Sequence, residues 1–121
     1  MIFGVWYWRD GRDLLMGYDW CRMHKKLPHL PGKDEKSTAS HIYLKTITVE
    51  PGKTKNPFKA MQLAYDSMQA EQWSPNGEAK ILILKKGLTH TSMSVGDMLE
   101  DVTGTFWMVD NFGFIQIGKR V

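Results

Sequence analysis

Residues 98–117 read MLEDVTGTFWMVDNFGFIQI, and this stretch decides the fold class. Met98, Leu99, Glu100 and Asp101 lead to a turn at Thr103-Gly104. Phe106, Trp107, Met108 and Val109 are β-branched, aromatic or long apolar residues and form a second strand. Asp110, Asn111 and Gly113 supply turn chemistry, because Asn and Gly accept left-handed backbone angles. Phe114, Ile115 and Ile117 form the third strand. Three short strands joined by tight turns make an antiparallel meander.

Working outward, residues 2–8 (IFGVWYW) read as another strand, ended by Arg9-Asp10-Gly11. Residues 41–50, HIYLKTITVE, alternate: Ile42, Leu44, Thr46 and Thr48 face one way, Tyr43, Lys45, Ile47 and Val49 the other. Neither set is purely polar, which predicts a central strand. Asn56-Pro57 starts a helix, since Asn caps the first free amides and Pro suits the first helical position. Phe58, Met61, Tyr65 and Met68 recur at helical spacing, and the helix is expected to reach about Gln72. Residues 79–86 have β-like composition at Ile81-Leu82-Ile83-Leu84, yet Ser74-Pro75 is a helix-start signal and Gly87 suits the position after a helix. A short second helix is favoured over a strand.

The expected fold is α+β: an antiparallel sheet of about five strands with one or two helices packed on one face. All 121 residues form one domain. Residues 10–23 show no clear period. Residues 24–40 form a long basic loop with two prolines and Lys25, Lys26, Lys33 and Lys36. Loops of that length inside a small domain are generally functional or mobile.

Composition removes several classes of protein. Cys21 is the single cysteine, so an intrachain disulfide and any zinc site needing two cysteines are excluded. The first residues place apolar side chains before Arg9 and Arg12, the reverse of a secretory signal. No apolar run approaches the roughly 18 residues that span a bilayer. A cytoplasmic protein with no membrane contact is expected. Net charge is +3, but it divides into +5 over residues 1–60 and −2 over residues 61–121.

The chemistry-bearing residues fall into clusters. Cys21, His24 and His29 have metal-binding side chains, but no fourth ligand and no zinc-knuckle spacing, so neither metal nor cofactor is expected. His90, Thr91, Ser92, Ser94 and Asp97 bring a base, hydroxyls and a carboxylate into eight residues. A catalytic set must converge in space, and residues of one loop seldom do; the plain alternative is a turn whose side chains bond nearby backbone. Trp73, Asn76 and Glu78 make a second polar-aromatic cluster. Tyr7, Trp8, Arg9, Lys25, Lys26, Lys33 and Lys36 combine rings with cations, the pairing used on single-stranded nucleic acid. Catalytic residues are not assigned. Trp6 or Trp8, if exposed, offer a homodimer contact.

Two segments carry a resemblance. One is Glu71-Gln72-Trp73-Ser74-Pro75-Asn76-Gly77-Glu78-Ala79. The other is His90-Thr91-Ser92-Met93-Ser94-Val95-Gly96-Asp97-Met98, followed by Val109-Asp110-Asn111-Phe112-Gly113-Phe114. Together they resemble a widespread group of small uncharacterised proteins of tailed bacteriophages, especially marine ones. The Ser-Met-Ser-Val-Gly-Asp segment is also similar to the YodL-like domain of phage and mobile-element proteins. The similarity covers residues 70–117; Met98 stands where the group more often has a smaller β-branched residue. No established reaction comes with it.

What the resemblance implies is a non-enzymatic accessory protein in the cytoplasm of an infected host. It would bind a host macromolecule, a protein foremost, and modulate host metabolism, defence or gene expression. Its contact surface is expected to combine the 24–40 loop with Trp73, Asn76, Glu78, His90, Thr91, Ser92, Ser94 and Asp97. Two alternatives stay open: a nucleic-acid binder using the basic first half, and a small-ligand binder or enzyme centred on residues 90–97.

Overall fold

The computed structural model describes residues 1–9, 21, 23–26, 31 and 40–120. Among these residues five strands form one antiparallel sheet: β1 (Ile2–Trp8), β2 (His41–Thr48), β3 (Met98–Glu100), β4 (Thr105–Asp110) and β5 (Gly113–Lys119). Their spatial order is β2-β1-β3-β4-β5. The last three strands are the expected meander, and β1 inserts between β2 and β3. Helix α1 (Pro57–Ser67), a 3-10 turn (Glu71–Trp73) and helix α2 (Lys80–Lys85) lie between β2 and β3 in sequence. The fold is therefore α+β, as the segregation of strands and helices predicts.

The pairing register sets what each face carries. Val5 pairs with Leu99 and Trp6 with Met98, so successive residues of β1 go to opposite faces. One face presents Phe3, Val5, Tyr7, Leu99 and Val109, buried with Ala60, Met61, Ala64 and Met68 of the α1 region and with Ile83, Leu88 and Met93. The other presents Trp6, Trp8, Met98, Phe106, Met108 and Ile117, buried with Cys21. Helices cover one face, as expected, and the second face is buried as well. Trp6 and Trp8 are consequently interior residues, which removes the dimer contact expected of them.

Two expectations for β2 are corrected. It is an edge strand, not a central one. Its alternation is also broken: the register shifts between Val5 and Trp6, so Lys45 faces Val5 while Tyr43 faces Trp6. Leu44 is the extra residue, and Ile42 and Ile47 reach the same core despite their odd spacing. A bulge of this kind inserts one residue and resets the pleat, so apolar residues appear on both nominal faces of a strand with only one sheet neighbour.

Helix α1 begins as its sequence dictates. The Asn56 side chain accepts from the amides of Phe58 (2.9 Å) and Lys59 (3.3 Å), with Pro57 in the first turn. The helix stops at Ser67, short of the expected Gln72. Met68 is fully buried, and the amides of Met68 and Gln69 turn to the carbonyls of Tyr65 and Asp66. Phe58, expected on the apolar face, is largely exposed and meets the Trp107 ring edge-on at 5.5 Å. Of the region without clear period, residues 10–20 and 22 lie outside the described residues.

Candidate functional site

The site grows from the end of α2. Gly87, at φ +72°, donates to the Leu84 carbonyl and Leu88 to that of Ile83, both at 3.0 Å. This pair of bonds closes the helix, and the buried side chains of Ile83 and Leu88 seal it. The chain then runs through residues 89–96 into β3. It is tied to the α1 end by Gln69 Nε2, which donates to the Met93 carbonyl at 2.6 Å. The Ser92 hydroxyl donates to the Trp73 carbonyl at 2.9 Å. Gly96, at φ +100°, makes the final bend.

Asp97 is fully buried at that bend. One carboxylate oxygen accepts from the Trp8 amide and the other from the Ser94 amide, each at 2.8 Å. His90 Nε2 lies 3.0 and 2.9 Å from the same two oxygens. Burial pushes the Asp97 carboxyl above its ordinary value, while the His90 hydrogen bond and charge and the two amides pull it back. The His90 ring stacks on Tyr7 at 4.6 Å and 13°. Tyr7 in turn donates its hydroxyl to the Thr91 carbonyl at 2.7 Å. Burial, then the Asp97 and Tyr65 charges, push the Tyr7 phenol far up, so it acts as a neutral donor.

A second histidine locks the same bend from β2. His41 is fully buried, with Nε2 2.7 Å from the Gly96 carbonyl and Nδ1 2.8 Å from the Ser40 hydroxyl. A carbonyl only accepts, so Nε2 carries the proton and Nδ1 accepts from Ser40. Burial depresses its pKa to about 4, against the pull of the Gly96 bond and with help from the His90 charge. The Trp8 ring meets it edge-on at 4.8 Å.

The structure sorts the expected interaction residues into two groups. Trp73, Thr91 and Asp97 are buried and shape the surface from behind. Asn76, Glu78 and Ser94 are exposed, and Ser92 and His90 are partly so. His90, Thr91, Ser92 and Ser94 line a shallow groove of about 390 Å³ with Pro75 and Leu84. His90 and Asp97 meet, as a base and its orienting acid do. The Ser92 and Ser94 hydroxyls instead donate to the carbonyls of Trp73 and Ser92. These bonds fit a self-satisfied turn, not a nucleophile held against its base.

Of the nucleic-acid set, Tyr7 and Trp8 are buried in the two faces of the sheet and offer no ring to a base. Arg9 is half-buried, Lys25 and Lys26 are exposed, and Lys33 and Lys36 lie outside the described residues. Most of the 24–40 loop, including His29, lies outside them too. Among the described residues no three His, Cys, Asp or Glu side chains gather to hold a metal ion. No described helix is long and apolar enough to cross a membrane.

Sequence reasoning missed the parts that four residues play. His41 reads as the first residue of a strand, with nothing local to mark it as a lock on a bend 55 residues away. Tyr7 reads as a stacking ring, not as the wall beneath His90. Ile81 and Leu84 are 70% and 61% exposed, and their spacing of three on a helix whose inner residue is Ile83 was the available signal. Comparison of the chain with models of protein families, with curated proteins and with solved structures finds no match.

Proposed function

We propose that the protein is a non-enzymatic accessory protein of phage type that binds a host protein and modulates host metabolism, defence or gene expression. The observation carrying this reading is the surface around the groove. Ser94 lines it, Asn76 and Glu78 are exposed just after the lining Pro75 in the chain, and the buried Asp97, Tyr7 and His41 hold its loop in one shape. A preorganised loop binds without a large ordering cost. The bonding of both serine hydroxyls to backbone carbonyls supports recognition over nucleophilic chemistry. The resemblance of residues 71–79 and 90–98 to phage proteins supports the setting.

A second reading, a small-ligand site, draws on the contact between His90 and Asp97 at the groove. Photocrosslinking separates the two. A crosslinking residue at Asn76 or Ser94 is expected to capture one defined host protein, and the same residue at the fully exposed Phe112 is not. Capture that is identical from all three positions, or that yields only nucleic acid, overturns the reading. Saturable small-molecule binding lost in His90→Ala, without protein capture, favours the second.

A further inference from the structure

We propose that the outer face of α2 is the docking surface for an acidic, apolar helical segment of the partner protein; this deepens the reading above and rests on it. The inner face of α2 needs only Ile83 and the half-buried Leu82, which join the core. The outer face carries Ile81 and Leu84, with Lys80 and Lys85 exposed beside them. Each lysine stands four residues from an exposed apolar residue: Lys80 from Leu84, and Ile81 from Lys85. Side chains at that spacing are neighbours on a helix surface. The result is a small apolar patch with a cation at each end. Leu84 also lines the groove, which continues the patch to Pro75 and Thr89.

Charge placement identifies the chemistry of the occupant. Residues 61–121 are net acidic, yet three of their five basic side chains are Lys80, Lys85 and Lys86. No Asp or Glu occurs from residue 79 to residue 96. Lysines on flexible stems reach carboxylates from several directions and suit an adaptable contact. A phosphate backbone would neutralise the lysines and leave Ile81 and Leu84 in water. A helix with leucines on one face and flanking carboxylates covers both, in the manner of a helix laid into a groove.

The test uses the full chain and a synthetic peptide with leucines at helical spacing flanked by glutamates. Its comparators are a scramble of the same composition, a lysine-flanked version and single-stranded DNA. Fluorescence anisotropy is expected to show saturable binding of the first peptide only. Affinity should fall at least tenfold in the exposed double variant Ile81→Ser/Leu84→Ser, and similarly in Lys80→Gln/Lys85→Gln, whose remaining binding should lose most of its salt dependence. Circular dichroism of each variant checks that the fold persists. Equal binding of the scramble, preference for DNA, or indifference to both double variants overturns the proposal. If photocrosslinking from Asn76 or Ser94 still captures one protein in that case, the binding function stands and only the α2 docking surface falls.

Discussion

Asp97 shows how one buried residue organises a loop from three directions. Its carboxylate takes the Trp8 amide at the end of β1, the Ser94 amide of its own turn and the His90 ring. His41 reaches the same bend through Gly96. Unfolded, this imidazole takes a proton near pH 6.5; folded, only near about 4. Between those values the unfolded chain binds more protons, so stability rises with pH. His41's contribution is complete above about pH 6.5 and is lost as the pH falls toward 4, to the extent of about 3 kcal/mol. Asp97 works in the opposite sense: its raised value favours the protonated folded form, a contribution lost as pH rises through that value. Urea unfolding at pH 7 and pH 4.5 is expected to show a steep loss of stability, and His41→Gln a shallower one. Equal slopes in the two proteins would refute the lock.

At the scale of elements, local sequence chemistry is unusually explicit. Asn56-Pro57 starts α1, and Gly87 closes α2, where the sequence alone had favoured a helix over a strand. The 3-10 turn and the start of α2 are held by a close approach at Gly77. A Cβ there would lie 2.4 Å from the carbonyl oxygens of both Glu71 and Gln72. Backbone oxygens cannot move aside as a side-chain tip does. Gly77→Ala is expected to cost roughly 1–3 kcal/mol, the range for an overpacked site, and to loosen the loop that hangs on Trp73. Chemical denaturation measures the first effect. Amide exchange at Ser92 and Met93, rising ahead of that in β4, measures the second.

At the scale of the whole molecule, one sheet separates two cores. Leu99 belongs to the helix-covered side and Met108 to the side that holds Cys21, both with essentially no exposure. Because β3 and β4 are paired neighbours, neither core can open without the shared sheet. Leu99→Ala and Met108→Ala should each cost about 2–5 kcal/mol and still unfold in one transition. Tryptophan fluorescence and far-UV circular dichroism would then trace coincident curves; separated curves would mean that the two cores are independent.

Elements whose information is local are legible in the chain alone: the meander from its turn residues, α1 from its cap and proline, α2 from its terminal glycine. Their existence follows from backbone sterics and amide satisfaction within a few residues of chain. Part of the site is legible in the same way, since His90, Ser92, Ser94 and Asp97 fall within eight residues. Which of them meet depends on the three-dimensional fold. His90 finds Asp97, whereas Ser92 finds the Trp73 carbonyl, across a fold that brings α1, the 3-10 turn and β1 together. It also decided burial: Tyr7 and Trp8 have the composition of a stacking surface, but insertion of β1 between β2 and β3 puts them on two covered faces. The edge position of β2 was hidden for the same reason. A bulge displaces the alternation by one residue, and strand order is a property of pairing partners far apart in the chain.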